Sequence, residues 1–293
     1  MIRLGRWLAP AILVTLPVGY TGISLFSADL LTRTNNRPPR VNPLAVGRDA
    51  RGWSVRTEDG LTLRGWYYPT PSHRRLVVLV HGMGESWDVM AGLGRDLHAR
   101  GYDLLLFDLR GHGRSDPARL TMGRRERADV RAVLAWARAQ GFDPGRVGWI
   151  GQSMGASTVL MEGVDNPDVR LAVLDSPYGD LPELLDSQLT RHSHLPGFFN
   201  PGILLAAHQA YGVRTDDLVP IRLASHWGDR PVLLIHGEAD TTVPIQQAYA
   251  LRRSLGPSCR LVPIPGVEHV EAYRSNPRKY VALVHNFLQN HMH

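Results

Sequence analysis

A series of short apolar runs constrains this chain more than any other feature. They are LVVLV at 76–80, DLLLFD at 103–108, RVGWIG at 146–151, RLAVLD at 170–175, PVLLIHG at 231–237 and CRLVPI at 259–264. Each is too short for a buried helix and lacks the polar alternation of a strand with one wet face. Such runs suit strands buried on both faces of a parallel sheet. Helix-patterned stretches lie between them, at 87–100, 123–140, 246–255 and 277–288. In the second of these, Val130, Val133, Leu134 and Ala137 share one face and charged residues the other. Alternating β and α elements predict an α/β fold class, a mostly parallel central sheet flanked by helices. Ahead of the first run, WSVRT and LTLRGWYY flank Asp59-Gly60, a β-hairpin signal. Residues 178–228 break the rhythm with helical patches and no strand. An insertion of that size predicts a helical cap over the carboxyl edge of the sheet, where α/β proteins place their sites.

Residues 7–27, WLAPAILVTLPVGYTGISLFS, carry no charge, and about 20 helical residues cross a bilayer core. Pro10 and Pro17 are tolerated in a membrane helix. A cleaved signal would have a shorter apolar stretch and a small-residue exit, whereas here Phe26 precedes Ser27-Ala28. The segment is therefore expected to be an uncleaved single-pass transmembrane anchor. A basic tail at 1–6 precedes it, and a Pro- and Arg-rich linker at 28–52 follows. The catalytic domain is expected at 53–293. Arg3 and Arg6 on one side nearly balance Arg33, Arg37 and Arg40 on the other; the reading leans to an extracytoplasmic domain. The net charge of +6 is concentrated near the N-terminus, since residues 1–51 carry seven Arg and two Asp. Basic charge beside an apolar segment suits anionic headgroups better than a nucleic-acid-reading surface. A membrane partner is expected, and no nucleic acid.

Gly151-Gln152-Ser153-Met154-Gly155 is a G-x-S-x-G placed after one apolar run and before a helical stretch, the context of a nucleophile elbow. A serine hydroxyl needs a base, itself oriented by an acid. Asp240, in HGEADTTVP, and His269, in PGVEHVEAY, each follow a run on the same expected sheet edge as Ser153. Asp175, which ends its own run, is the competing acid. His81-Gly82-Met83-Gly84 follows the 76–80 run, where a loop donates a backbone N–H to an oxyanion. The oxyanion donors are assigned to the main chain of Met83 and Met154, with His81 packed beneath the loop.

These motifs, with HGMGES (81–86), FDLRGHGRS (107–115) and DSPY (175–178), resemble the α/β-hydrolase superfamily. Within it they are similar to the bacterial single-domain serine hydrolases and the ABHD13/ABHD17-like (BEM46-like) branch. The resemblance covers residues 53–293. It implies an α/β-hydrolase fold with a cap, and makes the Gly111-His112-Gly113 segment a structural turn. Serine at the elbow disfavours epoxide hydrolases and dehalogenases, which place Asp there.

The expected function is a membrane-anchored serine hydrolase acting on small-molecule or lipid-like carboxylic esters, with thioesters and amides as further options. A non-catalytic membrane-tethered binding protein, or a serine peptidase or acyl-transferase, is the alternative. No cofactor is expected, because strand–helix turns lack a GxGxxG. No metal is expected, because the His192/His194 and His291/His293 pairs lack companion carboxylates or thiolates. The single cysteine, Cys259, excludes an intramolecular disulfide framework. Apolar clusters at 195–199 and 203–207 are expected to wall an acyl site in the cap. Removing residues 1–51 is expected to release an active soluble domain.

Overall fold

Each apolar run forms a strand in the computed structural model, which describes residues 5–34, 37–72, 74–193 and 195–293, without the side chains of 5–15 and 190–193. The strands are β1 (Arg51–Arg56), β2 (Thr62–Tyr68), β3 (Leu76–Val80), β4 (Asp103–Asp108), β5 (Val147–Gln152), β6 (Ala172–Asp175), β7 (Val232–Gly237) and β8 (Cys259–Ile264). They form one sheet in the order β1-β2-β4-β3-β5-β6-β7-β8. The β1–β2 hairpin and the β2–β4 pair are antiparallel, and the remaining pairs are parallel. The helices are α1 (Gly5–Thr32), α2 (Ala91–His98), α3 (Arg127–Ala139), α4 (Met154–Asp165), α5 (Leu181–Ser193), α6 (Asn200–Tyr211), α7 (Pro220–Leu223), α8 (Ile245–Leu255), α9 (Ala272–Ser275) and α10 (Pro277–His291).

Continuous apolar runs follow from burial on both sides. Leu76, Val78 and Val80 of β3, with Leu105 and Phe107 of β4, enter one core. Val77 and Leu79, with Leu104 and Leu106, enter the other. Side chains alternate across a strand, so a sheet covered on both faces needs an apolar residue at every position.

Two expected helices start late, for local reasons. Residues 87–90 form a 3-10 turn before α2, where the Asp108 carboxylate takes the Trp87 N–H. α3 begins at Arg127 because the Glu126 carboxylate accepts the N–H groups of Thr121 and Gly123 and holds 121–126 in turns. The interval after β6 contains α5, α6 and α7 and no strand, as a cap requires.

The N-terminal segment departs most from expectation. α1 continues through the expected boundary at residue 27 to Thr32. Tyr20 stacks on Phe199 at 5.1 Å between centroids, and its hydroxyl accepts the Gly202 N–H at 3.0 Å. A Cβ on Gly202 would stand 2.5 Å from Ser24 Oγ, so glycine permits this close approach of α1 to α6. Ala28 is fully buried with Ile203, Ala206 and Ala207. At the helix end, the Thr32 carbonyl accepts the Leu120 N–H at 3.0 Å, and Asp29 pairs with Arg119 at 2.7 Å. Tyr20, Ser24, Ala28, Asp29 and Thr32 are thus engaged by protein, while Leu25, Phe26 and Leu30 of the same helix stay exposed. Among the described residues, no helix is long and apolar enough to cross a membrane. Residues 1–4 of the expected basic tail, the side chains of residues 5–15, His194 and the His192 side chain lie outside the described residues.

Candidate active site

The loops at the carboxyl ends of β3, β5, β7 and β8 converge on Ser153. β5 runs into α4 with one residue between them, and that residue, Ser153, adopts φ 51° and ψ −122°. Such a conformation is strained for a residue with a Cβ and persists only where neighbours impose it. Collisions at the flanking glycines show what imposes it. A Cβ on Gly151 would lie 2.5 Å from Ala156 Cα, and one on Gly155 would lie 2.4 Å from the carbonyl oxygens of Val80 and His81. Strand and helix therefore cross with only hydrogen-sized side chains between them. The Ser153 N–H is held by the Asp175 carbonyl at 2.8 Å. Met154, the first residue of α4, has an N–H with no earlier carbonyl in its own helix to bond, so it is left facing the helix N-terminus.

Ser153, His269 and Asp240 form one hydrogen-bonded chain. His269 Nε2 lies 2.8 Å from Ser153 Oγ, and its Nδ1 lies 2.7 Å from Asp240 Oδ2. An ionised carboxylate only accepts, so Nδ1 carries the proton and Nε2 is free to take one from the serine. Burial pushes the Asp240 carboxyl up. Hydrogen bonds from His236, from His269 and from the Val243 N–H outweigh burial and hold it well below the usual carboxylate range. Its Oδ1 accepts the N–H groups of Thr242 and Val243 at 2.9 and 2.7 Å.

Asp175 does not join this chain. Its carboxylate is fully buried and accepts from Tyr280 at 3.0 Å and Ser176 at 3.1 Å. Burial pushes it up to about 6, against the hydrogen bonds from Tyr280 and Ser176.

The loop carrying Met83 passes close over the serine, and a Cβ on Gly82 would lie 3.3 Å from Ser153 Cβ. Two neutral histidines hold this loop. His81 Nδ1 donates to the Gly82 carbonyl at 2.8 Å while Nε2 accepts the Leu109 N–H at 3.0 Å. Burial, followed by the nearby His112, pushes His81 down to about 3. His112 Nδ1 donates to the Arg110 carbonyl at 2.8 Å, and Nε2 accepts the Gly84 N–H at 3.1 Å. Burial lowers His112 as well. The Gly111-His112-Gly113 turn therefore reaches the 82–84 loop, a contact that sequence reading misses. His112 and Gly84 are far apart in the chain, and no local pattern links them.

Above Ser153 lies a cavity of about 620 Å³, within the roughly 300–1,000 Å³ of ligand pockets. It is lined by Met83, Met154 and Val243, the cap residues Leu181, Leu185 and Leu195, and residues of α1; none of the lining residues among the described ones is charged. Gln188 also lines it. Its amide nitrogen donates to the carbonyls of Thr241 and Thr242 at 3.0 and 2.9 Å, while its buried Oε1 has no hydrogen-bond partner among the described residues. Of the two expected cap clusters, Leu195 reaches the cavity; the 203–207 segment packs mainly on α1 instead.

Residues 71–217 match the family described as serine aminopeptidase, S33. The protein Rv2307c of Mycobacterium tuberculosis is 30% identical over 254 residues, covering 86% of this chain and 82% of that one. YqkD of Bacillus subtilis is 27% identical over 261 residues, covering 85% and 78%. Among solved structures, the Pyrococcus furiosus esterase Pf2001 superposes with a TM-score of 0.75 at 22% identity, covering 89% of this chain and all of that one. The sheet order, the strained serine between β5 and α4 and the family match agree, and the chain belongs to the α/β-hydrolase superfamily, in the serine aminopeptidase, S33 family.

Proposed function

We propose that the protein is a serine hydrolase that cleaves carboxylic esters through an acyl-enzyme on Ser153. The observation that carries this reading is the Ser153–His269–Asp240 chain, with contacts of 2.8 and 2.7 Å, beside a cavity with no charged lining residue among the described residues. In the first half-reaction Ser153 Oγ attacks the ester carbonyl as His269 Nε2 takes its proton. Asp240 stays ionised, holds Nδ1–H and stabilises the imidazolium. The main-chain N–H groups of Met83 and Met154 receive the oxyanion. His269 then gives its proton to the leaving alcohol, and a water activated by the same histidine releases the acid.

An uncharged lining favours an ester over a peptide with a free amino terminus. An aminopeptidase needs an acceptor for the substrate ammonium, and the cavity has no carboxylate among the described residues that line it.

Membrane attachment through the N-terminal part of α1 belongs to the same proposal. It is supported by the charge-free run at 7–27 and the Arg excess around it. Retention of the full chain in membranes through a carbonate wash tests it.

The test of the chemistry is labelling with a fluorophosphonate together with ester turnover. Ser153→Ala should abolish labelling and lower turnover by about 10³ or more. Labelling retained on Ser115, Ser157 or Ser176 would refute the assignment.

A further inference from the structure

We propose that α1 is a substrate-selecting element whose Ile23–Phe26–Leu30 edge is the acyl wall of the Ser153 cavity, fitting the enzyme to esters of long apolar acids. The proposal rests on the serine hydrolase reading of the same site and assigns its substrate class.

The first support is helical spacing. Ile23, Phe26, Ser27, Leu30 and Leu31 all line the cavity that contains Ser153. These positions recur at i, i+3, i+4, i+7 and i+8, which is one face of a helix. A different stripe, Tyr20, Ser24 and Ala28, packs on α6. The rotation of α1 about its axis is therefore set by protein contacts, and the cavity-facing stripe is presented deliberately rather than left over.

The second support is the state of that stripe. Phe26 is 64% exposed, Leu30 52% and Ile23 39%, although all three contribute to the cavity. Met83, across the mouth, is 52% exposed. Large apolar side chains left open beside a nucleophile are unsatisfied by the protein itself. An apolar chain lying along α1 would cover them. A charged or strongly hydrated acyl group would lose water there and find no ionic partner among the described lining residues.

The third support is length. Residues 23 to 31 extend about 12 Å along the helix axis at about 1.5 Å per residue, about the extended length of a ten-carbon acyl chain. An acetyl group would leave most of this wall untouched.

The test is a p-nitrophenyl ester series from acetate to laurate with the full-length chain. The parent should show kcat/KM rising from acetate to decanoate. Phe26→Asp and Leu30→Asp should each lower the decanoate-to-acetate ratio by about tenfold or more, through loss of apolar contact with the chain. Leu30→Trp, which fills the cavity without adding charge, should move the optimum to shorter acids. Leu25→Ser, on a part of α1 that does not line the cavity, should keep the parent ratio. Fluorophosphonate labelling of each variant reports whether the site still folds, and if the Asp variants do not fold, Leu30→Trp decides. A parent profile that falls from acetate onward, or an unchanged profile in folded Phe26 and Leu30 variants, would overturn the proposal while leaving the serine mechanism standing. Absence of both labelling and turnover of every ester would instead bring down the serine reading, and the wall assignment with it.

Discussion

Gly155→Ala tests whether the crossing of β3 by α4 is what shapes the serine turn. The new methyl would stand 2.4 Å from the carbonyl oxygens of Val80 and His81. Ordinary carbon–oxygen contacts of this kind fall at about 3.3–3.6 Å, so the clash is about 1 Å deep. Both neighbours are main-chain atoms at the end of a central strand and cannot rotate away. Overpacking where side chains can yield costs about 1–3 kcal/mol. Here the upper end applies, and about 3 kcal/mol corresponds to a drop of about 6–12 °C in Tm for a domain of this size. The displaced atoms are also those that seat Ser153 beneath the 82–84 loop. A shift near 1 Å at reacting atoms lowers kcat by about 100-fold. Thermal melting, labelling rate and ester turnover measured together read both effects. Gly52→Ala is the control, because a Cβ there meets nothing within 4 Å, and it should leave all three close to the parent. A Gly155→Ala protein with the parent Tm and the parent labelling rate would refute the argument that backbone collision dictates the turn.

The two aspartates separate by kinetics and by pH. Asp240→Asn should lower kcat by about 10⁴, because the amide no longer holds the productive His269 tautomer, and Asp175→Asn should have a far smaller effect; the reverse ranking would move the acid to the end of β6. Asp175 has its folded pKa raised to about 6 by burial, so its contribution to stability is present below the unfolded value of about 3.9 and is lost as pH rises through 6. Asp175→Asn should therefore gain stability relative to the parent by about 3 kcal/mol between pH 4 and pH 8, from about 1.4 kcal/mol per pKa unit; urea titrations showing a pH-independent difference would contradict the burial argument. Deletion of residues 1–34 should leave the sheet folded but bare the α1-facing side of α6 and one wall of the cavity. Gel filtration should then show self-association, and the decanoate-to-acetate ratio should fall; a monodisperse truncation with the full-length ratio would restore the view of a detachable N-terminus.

Much of this architecture is legible in the chain because its causes are local. A strand buried on both faces must be apolar throughout, and β3, β4, β5, β6 and β7 announce themselves in that way. The elbow is legible because two close backbone crossings demand Gly151 and Gly155. Asp240 and His269 are legible because each follows a run whose carboxyl end faces the same edge as Ser153. Between Asp240 and Asp175 the sequence offers only position. The choice is made by side-chain direction, with Asp175 turned to Tyr280 and Ser176 and Asp240 turned to His269. The support of the 82–84 loop by His112 is likewise tertiary, a contact between the turns after β3 and β4.

The N-terminal run shows what a one-dimensional reading leaves open. Lipid and protein interior both accept apolar side chains, so lack of charge over residues 7–27 does not say which of them faces Tyr20, Ile23 or Phe26. The discriminating signals are weaker and point to protein. Tyr20 and Ser24 are polar at helical spacing, and Gly202, far along the chain, provides the close approach that they need. Asp29 and Thr32 then tie the end of the helix to Arg119 and Leu120. Once this half of α1 is committed to α6 and to the Ser153 cavity, any membrane contact falls to the residues before it. The cavity mouth would then lie within a few helical turns of the lipid surface. On the proposed reading, attachment and acyl selection would be two consequences of one helix, with its first half in contact with lipid and its second half against the acyl chain whose ester carbonyl the serine attacks.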